Sequence, residues 1–183
     1  MKRRSFITAS AIGLPALTLG ETTPAPTQRT DKGFVVKARQ SRFNESTKLY
    51  GTSPNDIKIS GQDTNGQLTV FEYTGNEKGG PPLHIHPNQD EIFFILEGDY
   101  LFQVGNDTYK LQAGDTIFLP RNVPHTFAQT SAKGKMTFLF QPSGKMEDYF
   151  RAIAALKQPP TPEQGAKIFA DHDMQVVGPP LQY

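Results

Sequence analysis

Short apolar segments separated by turn residues run through most of this chain. Ile57-Lys58-Ile59 alternates apolar and polar, as a half-buried strand does. Leu68–Tyr73 follows Asn65-Gly66, a dipeptide that favours tight hairpin turns. Further segments of the same kind are Phe34–Val36, His84–His86, Glu91–Leu96, Tyr100–Val104, Thr108–Leu111, Thr116–Leu119, His125–Gln129 and Met136–Phe140. Glu97-Gly98-Asp99, Gly105-Asn106-Asp107, Ala113-Gly114-Asp115 and Lys133-Gly134 punctuate them. Many short strands at even spacing predict an all-β fold, an antiparallel sandwich or barrel.

The period changes only near the end. Met146, Tyr149, Phe150 and Ile153 fall at helical spacing, which predicts an amphipathic helix over Met146–Leu156. Pro159-Pro160 stops it. Thr161-Pro162-Glu163-Gln164 then reads as an N-cap, a proline at the first helical position and a capping-box partner, opening a second helix to about Asp171. Gly178-Pro179-Pro180 is expected to be extended. There is no internal repeat. The expected organisation is a barrel over 33–145 and a helical extension over 146–183.

The first twenty residues follow a different logic. Lys2, Arg3 and Arg4 precede a mostly apolar run, Ile7–Leu19, that is shorter than the ~20 residues a membrane span needs. This is the pattern of a signal peptide, and Arg3-Arg4-Ser5-Phe6-Ile7 resembles a twin-arginine export signal. A cut near Gly20 is expected, with a less favourable candidate at Thr23-Pro24-Ala25. Residues 21–32 would form a flexible leader, and the mature chain, expected to be periplasmic or secreted, would have no membrane span. Losing three basic residues changes the formal net charge from +1 to −2.

Composition then narrows the chemistry. With 183 residues, 36% hydrophobic and 13 Phe, the chain can build a core, and its 16 Gly and 15 Pro suit many turns. It contains no cysteine, so disulfides, thiolate metal sites and cysteine nucleophiles are excluded. A net charge of +1 gives no basic excess for binding nucleic acid.

The four histidines are His84, His86, His125 and His172. His84 and His86 are two apart on a predicted strand, so they face the same side. Glu91 follows a turn, Pro87–Asp90, that can bring it back beside them, and Pro124 fixes the approach to His125. Two imidazoles and a carboxylate suit a divalent first-row metal. By spacing alone they equally suit a polar surface patch. His172, between Asp171 and Asp173, is expected to be exposed and unrelated.

Two motifs decide between these readings. His84-Ile85-His86, four residues, Glu91, six residues and Gly98 resemble the first cupin motif; Gly114, Pro120 and His125 resemble the second. Asn122 stands where that motif usually has Gly, Gln129 where it has Asn, and Gly79-Gly80 lies nearer His84 than the usual leading Gly. Asn tolerates the left-handed backbone that Gly would supply at 122. The resemblance implies a jelly-roll β-barrel that holds one divalent transition metal (iron, manganese, nickel, cobalt or zinc) on His84, His86, Glu91 and His125. Two coordination positions would stay open for a small-molecule substrate. Counting by two from the ligands puts Phe93, Ile95, Phe127 and Gln129 on the inner face. Phe93 and Phe127 are the candidate substrate contacts, and an apolar lining suits a flat or aromatic molecule better than a sugar. The whole pattern is similar to small cupins related to quercetin 2,3-dioxygenase. The resemblance therefore implies a dioxygenase, with Glu91 as ligand and catalytic base, and a homodimer. The alternatives are a non-catalytic ligand-binding cupin and a metal-dependent isomerase or lyase.

Overall fold

The computed structural model describes residues 29–49 and 51–183. The predicted signal segment and most of the leader lie outside the described residues. Eleven strands and two α-helices follow along the described residues, after a single 3-10 turn at Arg42–Asn44. They are β1 (Ser46–Leu49), β2 (Ser53–Ile59), β3 (Thr69–Gly75), β4 (Pro82–Ile85), β5 (Asp90–Glu97), β6 (Tyr100–Val104), β7 (Asp107–Leu111), β8 (Thr116–Leu119), β9 (His125–Gln129), β10 (Gly134–Gln141), α1 (Met146–Ala154), α2 (Pro162–Asp171) and β11 (Gln175–Pro180). The strands form two antiparallel sheets, ordered β1-β2-β3-β10-β5-β8 and β11-β4-β9-β6-β7. The chain passes from one sheet to the other after β3, β4, β5, β7, β8, β9 and β10, which is a jelly roll. The all-β barrel read from the strand pattern is the observed fold. Among the described residues no helix is long and apolar enough to cross a membrane.

Local sequence explains the turns. Asn65 and Gly66 both take positive φ, 55° and 75°, within the β2–β3 connection. Gly98 (86°) and Gly114 (98°) supply the left-handed turns of the two motifs. Asn122 has φ 64°, so it takes the turn geometry that a glycine would otherwise fill. Its N–H donates to the His86 carbonyl at 2.9 Å, which ties the second motif to the first.

Strand register stacks the inward side chains in layers. Glu91 lies opposite Phe140 and Leu119; Phe93 lies opposite Phe138; Ile95 lies opposite Met136. On β3, Phe71 pairs with Phe138 and Tyr73 with Met136, while Asn55 of β2 pairs with Tyr73. In the other sheet His125 lies opposite His84, Phe127 opposite Phe102, and Gln129 opposite Tyr100. Successive layers are therefore a histidine–carboxylate layer, a phenylalanine layer, and a layer holding Asn55, Tyr73, Tyr100 and Gln129. Each is two residues from the next, roughly 6.8 Å at ~3.4 Å per residue. Ring contacts join the sheets at the middle layer: Phe93 meets Phe102 at 5.1 Å and Phe127 at 5.6 Å across the sheets, and Phe138 at 5.2 Å within its own sheet.

The helices close one side. The Thr161–Gln164 capping box is present, and α2 begins where its sequence predicts. Phe150 of α1 sits against Phe71 at 4.8 Å, and Tyr149 meets Phe169 of α2 at 5.1 Å. The Glu147 carboxylate accepts from Gly61 N–H (2.6 Å), Thr69 Oγ1 (2.9 Å) and Ser60 Oγ (3.0 Å), which pins the start of α1 to the β2–β3 connection.

Three local expectations are corrected. Phe34–Val36 is not a strand; Phe34 and Val35 are exposed, and the Phe34 ring lies 4.1 Å from the Arg42 guanidinium. The region beyond residue 145 is not purely helical, because β11 pairs with β4. His172 is half-buried rather than exposed: it caps the end of α2, its Nδ1 donates to the Ile168 carbonyl at 2.7 Å, and its ring meets Tyr149 at 5.8 Å.

Candidate metal centre

His84 lies on β4, His86 just after it, Glu91 at the start of β5 and His125 at the start of β9. Their adjacency follows from pairing: His84 faces His125 across two strands, and the Pro87–Asp90 turn brings Glu91 back over the same face. Arg121 holds this corner. Its backbone N–H and guanidinium both donate to Asp90, at 2.9, 3.1 and 2.6 Å, and Nη2 donates to the Gln141 carbonyl at 3.2 Å. That locks the residue before Glu91 to the loop that leads into His125.

The four side chains are all buried, and one ligand atom from each lies within 4.8 Å of every other. His84 Nε2 is 3.1 Å from His86 Nε2. Glu91 Oε2 is 3.3 Å from His125 Nε2 and 3.9 Å from His86 Nε2. Donors bound at ~2.1 Å to one ion are separated by ~3.0 Å when at right angles and ~4.2 Å when opposite, and the spacings of 3.1, 3.3 and 3.9 Å fall in that range.

The hydrogen bonds carry the fit further. His84 Nδ1 contacts the Pro82 carbonyl at 2.9 Å and His125 Nδ1 contacts the Val123 carbonyl at 3.0 Å. A carbonyl only accepts, so both Nδ1 atoms carry the proton and both Nε2 lone pairs are left free for the centre. His125 Nε2 has no hydrogen-bond partner although Glu91 Oε2 is its neighbour. An imidazole lone pair facing a carboxylate oxygen in a buried site calls for a cation between them.

Electrostatics agrees. Burial first, then the neighbouring His125, lowers His84 to about 3. Burial, His84 and His125 hold His86 well below the usual imidazole range, partly countered by the Gln89 side chain. Burial raises the Glu91 carboxyl, with His125 pulling the other way. The two shifted histidines are thus neutral, the form in which imidazole binds a metal.

A cavity of about 310 Å³ begins at these four residues and is lined by Phe93, Phe127, Phe138 and, farther along, Tyr73 and Ser53. Phe93 and Ile95 are buried on the same face as Glu91, as the alternation predicts. Phe127 is half-buried and Gln129 fully buried. Gly80 lies on the cavity wall beside β9: a Cβ there would sit 1.8 Å from the Phe127 carbonyl oxygen, so the Gly79–Pro82 bend needs its glycine.

Two groups near the centre have no signal in the motif spacing. Gln89 is buried beside His86, yet neither its Oε1 nor His86 Nδ1 completes a hydrogen bond. Phe169 of α2 meets the His84 ring at 5.2 Å, so the helical region reaches the ligand layer itself.

Residues 70–141 match the cupin-domain family model. The chain is 28% identical over 105 residues to quercetin 2,3-dioxygenase of Bacillus subtilis, covering 57% of this chain and 31% of that protein. It is 32% identical over 114 residues to a probable germin-like protein (subfamily 2, member 5) of Arabidopsis thaliana, covering 58% of this chain and 53% of that one. The chain thus spans about a third to a half of the length of these curated relatives. A solved structure of a predicted oxalate decarboxylase from Thermotoga maritima superposes with a TM-score of 0.52 at 16% identity, over 60% of this chain and 99% of that one. KdgF from Halomonas gives 0.50 at 14% identity, over 61% and 94%. At such identities the structural likeness speaks for the fold.

Proposed function

We propose that this chain, whose residues 70–141 match the cupin-domain family model, is an exported, metal-dependent dioxygenase acting on a small aromatic substrate. The observation that carries the metal part is the convergence of three imidazole nitrogens and one carboxylate oxygen, all buried, with two of the imidazoles oriented by backbone carbonyls. His84, His86, Glu91 and His125 would hold the ion. When bound, a divalent ion with open positions supplies Lewis acidity and a place where substrate and oxygen meet.

The chain's own residues supply the rest. Glu91 has a burial-raised basicity that suits taking a proton from a substrate hydroxyl at Oε2. Phe93, Phe127 and Phe138 form apolar walls that seat an aromatic body and keep water out. That lining disfavours a sugar, and with it an isomerase or lyase acting on one. The likeness to a quercetin dioxygenase supports the choice of oxygen chemistry.

The test begins with the mature protein taken from outside the cytoplasm without chelator. Its mass reads signal removal, and elemental analysis reads the metal. Oxygen uptake is then followed with flavonols and diketones after reconstitution with iron, manganese, nickel or cobalt. Glu91→Gln is expected to keep most of the metal and to lose turnover by ~10²-fold or more. Unchanged turnover in that variant removes the base role. Tight ligand binding with no oxygen uptake would make the chain a binding protein instead.

A further inference from the structure

Both sheets turn their inward faces to the core and the cavity, so their outward faces should be polar, as alternation in a half-covered antiparallel sheet requires. The second sheet conforms: on its outward side Gln103 lies between Thr108 and Thr126. The first does not. On its outward side Ile59 lies opposite Val70, Val70 opposite Leu139, Leu139 opposite Ile92, and Ile92 opposite Phe118. These apolar residues form one row across β2, β3, β10, β5 and β8, roughly 19 Å long at ~4.8 Å per strand. Each keeps some exposed surface, and the helices pack on β1 and β11 instead. A contiguous apolar band on an outer face marks a contact surface.

The two ends of the row differ in shape. At the β8 end Phe118 is 55% exposed, and Leu96 (49%) and Phe94 (39%) of β5 lie on the same face. At the β2 end a groove of about 830 Å³ separates the sheet from residues 29–38; Phe34, Val36, Ile59 and Leu68 are its apolar lining. Strand β10 is midway, with β3 and β2 on one side and β5 and β8 on the other. A two-fold axis along β10, in the plane between two copies, lays the row on its counterpart with the ends exchanged. The exposed rings of each copy then meet the groove of the other, which is the reciprocal contact a closed pair needs. The lysines beside the row, Lys58 and Lys135, both sit on Glu72, at 3.3 and 3.1 Å, so covering the face leaves neither without a partner. Six strands by seven residues give roughly 600 Å² in projection, the size at which stable interfaces begin for each partner. The residues before Arg29, Glu21–Gln28, have Ala25 as their one apolar side chain besides proline, so they match the groove poorly.

We propose that the outward face of the six-stranded sheet is the contact between two copies of this chain, with Phe94 and Phe118 of each copy seated against the groove between residues 29–38 and β2–β3 of the other. The family resemblance implies a homodimer without naming its surface; the register of this sheet supplies one. Residues of β10 on the axis, Thr137 and Leu139, face their own counterparts. The contact depends neither on the metal nor on the reaction.

Analytical ultracentrifugation of the full-length protein over ~1–100 μM tests this. The wild type is expected to sediment as a dimer, and Phe118→Asp, which places a charge in the contact, to weaken it ~100-fold or more. Lys110→Glu, on the outward face of the other sheet, should leave the dimer unchanged. Circular dichroism checks that both variants fold. A second measurement leaves the apolar row intact. The wild-type chain has no cysteine, so a short bismaleimide should link two copies of Thr137→Cys and leave Lys110→Cys unlinked. This decides the matter even if Phe118→Asp does not fold. A monomeric wild type, a dimer that Phe118→Asp leaves intact, or linkage through Lys110→Cys in place of Thr137→Cys would overturn the contact. A monomer that sediments with phosphatidylglycerol vesicles would also overturn it and give the face to a lipid surface.

Discussion

At the level of single residues, the centre depends on groups that orient the ligands as well as on the ligands. His84 and His125 each have a backbone carbonyl fixing the ring. His86 has none, and the nearest candidate is the Gln89 amide, whose Oε1 is also open. Gly144 leaves room for that amide: a Cβ there would lie 2.3 Å from Gln89 Nε2. If Gln89 accepts from His86 Nδ1 when the ion is bound, Gln89→Leu should weaken metal binding by about 10–100-fold, as loss of an orienting partner does elsewhere. Competition with a chromophoric chelator measures this, and Gln89→Glu should restore most of the affinity. Unchanged affinity in Gln89→Leu would make the residue a packing group. The convergence of His84, His86, Glu91 and His125 was legible in the sequence, because motif spacing encodes strand pairing. Gln89 was not, since an amide at a turn position becomes informative only when its lack of partners can be seen.

Elements show a similar division. Strands with clear alternation, such as Tyr100–Val104 and His125–Gln129, occur where the pattern places them. Strand β1 escaped because Ser46-Thr47-Lys48-Leu49 has one large apolar residue, and β11 because Gly178, Pro179 and Pro180 are poor strand formers that an edge position tolerates. Phe34–Val36 looked like a strand because aromatic and β-branched residues favour one, but no neighbouring edge receives it. Helix α1 was legible in its spacing, whereas its anchor was not. Glu147 accepts three hydrogen bonds from residues 78 to 87 positions earlier. Glu147→Ala leaves Gly61 N–H and two hydroxyls without that acceptor, so a loss of ~2–4 kcal/mol is expected in urea unfolding of the metal-free protein. A change below ~0.5 kcal/mol would show that the helix is held by its apolar face alone.

For the molecule as a whole, the buried centre sets the response to acid. His84 and His86 are lowered in the folded state, so the unfolded chain takes up protons below ~6.5 that the folded one refuses. Their contribution to stability is present above that pH and is lost as pH falls, for His84 down to about 3. Glu91 works in the opposite sense: its raised folded value penalises the fold above ~4.5 and the penalty fades in acid. Two histidines against one carboxylate leave a net loss between about pH 6.5 and 5. Metal-free protein should therefore show a urea midpoint that falls from pH 7 to pH 5, and His84→Asn should make the fall shallower. A midpoint independent of pH in this range would mean the imidazoles are accessible to protons in the folded protein.

The pairing of β11 with β4 has a consequence for synthesis. The strand bearing His84 keeps one bare edge until Gln175–Pro180, the final strand of the fold in chain order, leaves the ribosome. Every ligand has been made by then. The ribosome thus delivers the four candidate donors first and the strand that covers the His84 edge afterwards.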